Sequence, residues 1–230
     1  MDCEKKKTVV LLSGGLDSTT CLAIAASENR EVYALSFDYG QKHSLELECA
    51  KYNANKFKAA EHRTLALDSV FFKGSALTDK NICVPKDRLG KEKIPVTYVP
   101  ARNTIFLSCA LAWAETLGAD SIYIGVNSVD YSGYPDCRPE YISAFETMAN
   151  LALKDCVEGR MRLKIESPLI SMTKAEIIRK GKSLGVDYST TISCYDPING
   201  MACGFCDSCC LRKSGFEESG CKDETLYFKK

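Results

Sequence analysis

Apolar runs and helical spacings alternate along this chain. Residues 8–12 (Thr8, Val9, Val10, Leu11, Leu12) are apolar or β-branched throughout, the pattern of a strand buried on both faces. A glycine-rich turn follows, and 19–25 then reads as a helix. Further along, the pattern predicts strands over 32–37, 63–67, 121–126 and 163–165. Helical spacing recurs over 43–57, through Leu47, Ala50, Ala54 and Phe57, and over 103–117, which Gly118 stops. A helix opens at Pro139, and another over 173–184 is closed by Gly185. Between 68 and 100 the pattern lapses into lysines, prolines and Gly90, a length more often found in functional loops than in plain connectors.

Strands alternating with helices predict an α/β fold, a parallel sheet covered by helices on both faces. On such sheets ligands sit beyond the carboxyl ends of the strands. Three polar loops fall there, 13–18, 38–41 and 127–138, and they are expected to surround one pocket. Residues 1–188 are expected to form the main domain, with 189–230 a small C-terminal appendage packed on it.

The first loop, Ser13-Gly14-Gly15-Leu16-Asp17-Ser18, joins a strand to a helix N-terminus. There free backbone N–H groups and the helix dipole converge on an anion. Two adjacent glycines let the backbone approach a phosphate closely, Ser13 and Ser18 add hydroxyls, and Asp17 can fix the turn or help hold Mg2+. No lysine follows Ser18 in the helix, whereas a Walker A loop needs one to help transfer a terminal phosphate. The loop is therefore suited to holding a pyrophosphate unit that departs whole.

Composition narrows the field. The chain has 230 residues and a formal net charge of zero, so no general polyanion-binding field is present and a stable nucleic-acid partner is not expected. With no secretory segment after Met1 and no apolar run of spanning length, a cytoplasmic location away from membranes is expected. Of 13 cysteines, most are scattered singly, as reduced thiols in a core would be. Cys194, Cys203, Cys206, Cys209 and Cys210 are clustered. Cys203-x-x-Cys206 forms a knuckle, Cys209 continues it toward a helix start, and Cys194 can close a tetrahedron around structural Zn2+. An iron–sulfur run would want its next cysteine at Lys213. The adjacent Cys210 leaves the choice of fourth ligand open by one residue.

Residues 127–140 combine carboxylates, aromatic faces and an arginine. Asp130 could accept two hydrogen bonds from a guanine-like edge, Tyr131 or Tyr134 could stack on a flat ring, and Arg138 could clamp a carboxylate. A bland alternative is a surface loop in which Asp136 and Arg138 pair with each other. Of the two histidines, His43 could border the pocket and His62 is expected to be structural.

Ser-Gly-Gly-x-Asp-Ser after an N-terminal strand resembles the signature of the PP-loop ATP pyrophosphatases, which share an adenine-nucleotide α-hydrolase-like, Rossmann-like fold. With Phe37-Asp38-Tyr39-Gly40-Gln41, Tyr98-Val99-Pro100-Ala101-Arg102-Asn103, the 130–139 loop and Ser193-Cys194-Tyr195, the whole chain resembles the QueC family of deazapurine (queuosine and archaeosine) biosynthesis. The resemblance implies that 7-carboxy-7-deazaguanine and ammonia become the nitrile preQ(0), through an adenylated carboxylate and then an adenylated amide, with AMP and diphosphate released. It implies ATP contacts from Leu12, Ser13, Gly14, Gly15, Leu16, Asp17, Ser18, Thr19, Thr20, Cys21 and Leu22, zinc on Cys194, Cys203, Cys206 and Cys209, and a homodimer. Asp17 and Ser18 are expected to act in the reaction. Arg102, Lys164, Lys174 and Arg179 are the cations considered for offsetting charge on phosphorus, with Lys174 first and Arg102 beside it. Substrate contacts are expected from Asp130, Tyr131, Tyr134, Asp136 and Arg138.

Two other readings bear on the same residues. A PP-loop sulfur transferase acting on tRNA would need a catalytic cysteine pair or an iron–sulfur site and a basic surface. A zinc-ribbon module binding nucleic acid would rest on Arg212 and Lys213 after the cysteines.

Overall fold

The computed structural model describes residues 5–86, 94–127 and 133–229. Among them, five strands form a sheet: β1 (Lys7–Leu11), β2 (Glu31–Asp38), β3 (Glu61–Ala66), β4 (Ser121–Tyr123) and β5 (Lys164–Glu166). The order is β3-β2-β1-β4-β5 and every pairing is parallel. The helices are α1 (Leu16–Ser27), α2 (Leu45–Lys56), α3 (Arg102–Leu117), α4 (Pro139–Ala152), α5 (Lys174–Ser183) and α6 (Asp207–Ser219), with one further turn at Lys154–Val157.

The central strand explains the two-sided cover. Val9 and Leu11 point into a core with Leu107 and Ala110 of α3 and Phe145 of α4. Val10 and Leu12, one residue out of phase, point into a second core with Leu22 of α1, Ala50 of α2 and Ile177 of α5. A side chain such as Val9 or Leu12, taken fully out of water, contributes about 1.5–3 kcal/mol. A continuous apolar run is therefore what a strand in this position requires.

Element ends follow local chemistry. Gly118 closes α3 in the left-handed region at φ +66°, its N–H donating to Glu115 O. Pro139 opens α4. A reciprocal pair, Thr173 and Glu176, caps α5. Strand β4 stops three residues short of the predicted 126. Ile124 still donates to Glu166 O at 2.9 Å, but Gly125 then turns in against α1, and its missing side chain is what allows this. A Cβ there would lie 3.1 Å from the Asp17 carbonyl carbon and the Ser18 nitrogen. The described part of 68–100 is anchored by Phe72, Ala76, Val84 and Val99, all buried.

The last stretch packs through α6 on α5, and its Ser193 accepts from the Leu16 amide at the start of α1. Arg212 of α6 is 3 % exposed and donates to Tyr188 O (2.8 Å) and Thr191 Oγ1 (2.9 Å), with Asp223 as its ion partner. The chain order reverses between β1 and β4, so the loops leaving these strands open toward each other there, as ligand-binding crevices in such sheets do.

Candidate active site

At that crevice the 13–18 loop closes on itself. Ser18 Oγ accepts from Ser13 N (3.2 Å), lies 3.0 Å from Ser13 Oγ, and donates to Gly15 O (3.2 Å). Gly14 takes φ +87° and packs on α2, where a Cβ would fall 2.1 Å from Glu46 O. Gly15 is the N-cap of α1 and has no capping side chain, so the first-turn amides look outward. The Leu16 amide donates to Ser193 Oγ at 3.3 Å, while those of Asp17 and Ser18 donate to no group among the described residues. Amides at a helix start with the positive dipole end behind them attract an anion.

Lys174, the first residue of α5, reaches Asp17 with Nζ 2.9 Å and 2.8 Å from the two carboxylate oxygens. The loop thus gains a lysine, but one delivered from 157 positions away. Its path is cleared by Gly215 of α6: a Cβ there would lie 2.5 Å from Lys174 Cγ.

A cavity of about 240 Å³ opens beside the loop. Its lining takes Ser13, Gly15, Leu16, Asp17 and Ser18 from the first predicted loop, with Leu12 just before it, Tyr39 and Gln41 from the second, and Tyr134 and Cys137 from the third. Thr19, Thr20, Cys21 and Leu22 lie in the core instead. Thr20 Oγ1 bonds Leu16 O (2.8 Å), and the Cys21 thiol donates to Ile124 O (3.5 Å). Burial pushes the Cys21 thiol pKa far up, with Asp17 adding to it.

Arg102, the first residue of α3, lines the same cavity and hydrogen-bonds Tyr39. Burial opposes its charge, but Tyr39, Cys137 and Asp136 outweigh that and hold its pKa above the ordinary value. Glu46 lines the wall beside the loop, where burial pushes its carboxyl up to about 7 against the pull of Arg102. Phe37 and Phe106 stack at 3.9 Å between centroids and supply a flat apolar surface. Tyr134 stacks on Tyr98 and shares a 3.0 Å hydrogen bond with Thr97 Oγ1.

Other predicted contacts fall elsewhere. Asp136 is buried and accepts from the Asn103 amide at 3.0 Å, which holds the start of α3. Arg138 is exposed as the N-cap of α4 and is not on the cavity wall. Asp130 and Tyr131 lie outside the described residues. His43 borders the cavity with Nε2 2.9 Å from Cys194 O, and His62 bonds Ser36 Oγ. Lys164 stands near Glu146, and Arg179 donates to Glu218 O. Glu46 was not singled out in sequence, and Ser193 only as part of the Ser193-Cys194-Tyr195 motif. The signal for Glu46 was an acidic residue in the first turn of a helix leaving a polar loop.

The sulfurs of Cys194, Cys203, Cys206 and Cys209 all lie within 4.8 Å of one another, and all four residues are buried. A metal with bonds of about 2.3 Å to sulfur places tetrahedral thiolates about 3.8 Å apart. A cluster no wider than 4.8 Å can close to that size, and it takes in Cys209 rather than Cys210. Backbone amides support the sulfurs: those of Cys203 and Asp196 donate to Cys194 Sγ, and those of Phe205 and Cys206 to Cys203 Sγ. Hydrogen bonds from the Cys194 and Cys209 thiols favour the ionised form of Cys206. Cys194 directly follows Ser193, so the sulfur cluster and the 13–18 loop share a joint.

These features define a nucleotide-binding α/β protein of the PP-loop kind. The fold is shared with an NMN synthetase from Francisella tularensis, at a TM-score of 0.53 and 15 % identity, over 96 % of this chain and 80 % of that one. The family model described as "Queuosine biosynthesis protein QueC" matches residues 7–220, and the chain belongs to that family. It is 64 % identical over 223 residues to a 7-cyano-7-deazaguanine synthase of Geobacter metallireducens, covering 96 % of this chain and 93 % of the relative. A 7-cyano-7-deazaguanine synthase of Syntrophobacter fumaroxidans is 60 % identical over 229 residues, 98 % of this chain and 97 % of the relative.

Proposed function

We propose that this chain is an ATP-dependent nitrile synthetase that turns 7-carboxy-7-deazaguanine and ammonia into 7-cyano-7-deazaguanine. A carboxylate is a poor electrophile, so one oxygen must leave as part of a better group. The substrate carboxylate attacks the α-phosphorus of ATP, the bond to the β-phosphate breaks, and pyrophosphate departs toward the amides of the 13–18 loop. Ammonia then adds to the acyl carbon and AMP leaves, giving the amide. A second adenylation on the amide oxygen, followed by loss of AMP and an N–H proton, gives the nitrile. Two oxygens lost require two ATP.

The observation that carries this reading is the pairing of family membership over residues 7–220 with a phosphate loop that has no lysine of its own. Lys174 and Arg102 are the cations we assign to the charge on phosphorus, and Asp17 holds Lys174 beside the loop. Mg2+ is taken to arrive with the nucleotide. Tyr134 and the Phe37–Phe106 stack are assigned to the deazapurine ring. The sulfur cluster we assign to zinc in a closed, structural site, because a four-iron cluster would hold its thiolates farther apart than this. Residues 189–230 are then a zinc-organised extension of 1–188. Zero net charge favours a small-molecule substrate over RNA, and the buried, protonated Cys21 is unsuited to sulfur transfer. Reduced thiols at the twelve described cysteines suit the cytoplasm. Leu65 on the edge strand β3, with Val70 and Phe71 just beyond it, stands exposed, which supports a homodimer.

The test is mass spectrometry of a reaction with 7-carboxy-7-deazaguanine, ammonium and ATP. The expected products are the nitrile and two equivalents of AMP. Formation of ADP, or no nitrile, overturns the proposal.

A further inference from the structure

The proposed reaction leaves one requirement unassigned. The attacking ammonia must lose a proton as the amide forms, and the amide nitrogen must lose both of its protons before the nitrile is complete. Some group has to accept them.

We propose that the Glu46 carboxylate is the proton acceptor for the nitrogen that becomes the nitrile, a role that rests on the reading above. Two acidic side chains line the cavity among the described residues, Asp17 and Glu46. Both oxygens of Asp17 are held by Lys174 Nζ, at 2.9 and 2.8 Å, so that carboxylate is already committed. The Glu46 carboxylate makes no hydrogen bond or ion pair with any described residue. Its backbone is packed tightly on the loop, since a Cβ on Gly14 would fall 2.1 Å from the Glu46 carbonyl oxygen. The first turn of α2 is thus wedged against the phosphate loop, with Arg102 facing it from α3.

His43 is the other candidate base on this wall. Its Nε2 is committed to Cys194 O, and its Nδ1 is buried, with no partner among the described residues. Among the described residues, the other charged or titratable groups around Glu46 are Tyr39, Lys42, Cys49, Arg102 and the Asp17–Lys174 pair, and Lys42 is turned away to Ile82 O. Burial keeps the Glu46 pKa near neutrality, at about 7, which is where a general base works best.

In the first step the nitrogen lone pair forms the C–N bond, Glu46 takes one N–H proton, and the acyl C–O bond breaks with its electron pair leaving on AMP. In the second adenylation the amide oxygen bonds to phosphorus, pyrophosphate leaves, and Glu46 takes the next proton to give the neutral imidate. In the elimination it takes the last N–H proton as AMP departs and C≡N forms. Between steps the carboxyl returns its proton to water.

Glu46→Gln separates this role from binding. Carboxylate-dependent exchange of labelled pyrophosphate into ATP reports the first adenylation, which needs no base on nitrogen. It is expected to stay within about threefold of wild type, while nitrile formation falls about 10²–10⁴-fold. Glu46→Asp should restore part of the turnover, and the acid limb of the wild-type kcat profile, centred near pH 7, should vanish in the Gln variant. Nitrile formation within about threefold of wild type overturns the proposal, as does loss of pyrophosphate exchange together with nitrile formation. Absence of exchange in the wild-type enzyme would defeat the parent reading, and this one with it.

Discussion

Asp17 and Glu46 are carboxylates on one cavity wall, yet their surroundings demand opposite things of them. Asp17 meets an ammonium held at hydrogen-bond distance of its carboxylate. Glu46 loses water without gaining a donor among the described residues, so its neutral form is favoured. The sign for stability follows. The folded state holds the Glu46 proton up to about pH 7, while the unfolded chain releases it near its ordinary 4.5, so this residue's contribution is present in acid and lost as pH rises through 7. Glu46→Gln, which cannot ionise, should therefore raise Tm relative to wild type at pH 8 and do little at pH 4.5; an equal shift at both, read by calorimetry, would count against a desolvated carboxyl. Asp17 was legible in sequence because its neighbours Gly14, Gly15 and Ser18 declare the turn. Glu46 was not, because an acid in a first helical turn is ordinarily a solvated partner of the helix dipole, and only the packing of Gly14 beneath it says otherwise.

At the scale of elements, α5 and α6 act together. Helix α5 carries Lys174 and α6 supplies the gap, Gly215, through which its side chain runs. Gly215→Ala would place a methyl 2.5 Å from Lys174 Cγ and should cost about 1–3 kcal/mol in stability. More tellingly, it displaces the ammonium, and turnover should fall on the order of 10²-fold with metal content unchanged. A variant with full turnover would show that Lys174 can be moved freely. Most element positions were readable beforehand, since the 2.0 and 3.6 periodicities depend on neighbours a few residues apart. The strand read as 63–67 is observed at Glu61–Ala66, and β4 ends early, because strand limits depend on what the adjacent strands offer. The 130–139 loop resists the same treatment. Asp136 reads like a ligand for substrate, but its oxygen is taken by the Asn103 amide from a distant helix.

For the whole molecule, the sulfur cluster and the phosphate loop are neighbours. Ser193 accepts from the Leu16 amide, Ile192 donates to Gly14 O, and the next residue is Cys194. Metal removal should therefore be felt in the nucleotide site. Chelation under reducing conditions, or Cys203→Ser, is expected to lower Tm on the order of 10 °C and to weaken pyrophosphate exchange in step with metal lost. Cys210→Ser, outside the four-sulfur set, should alter neither metal content nor exchange. Full exchange by a folded, metal-free enzyme would disconnect the two sites. What this sequence determined by itself were the features written in short stretches: the two-sided strand 8–12, the glycine turn after it, and the Cys-x-x-Cys knuckle with Cys209 beyond. Their geometry needs only bonded neighbours. Tertiary structure alone decided that Lys174 meets Asp17, that Cys209 rather than Cys210 completes the cluster, and that Glu46 has no hydrogen-bond partner among the described residues. Each of those depends on groups far apart in the chain, brought together by burial of the two core faces.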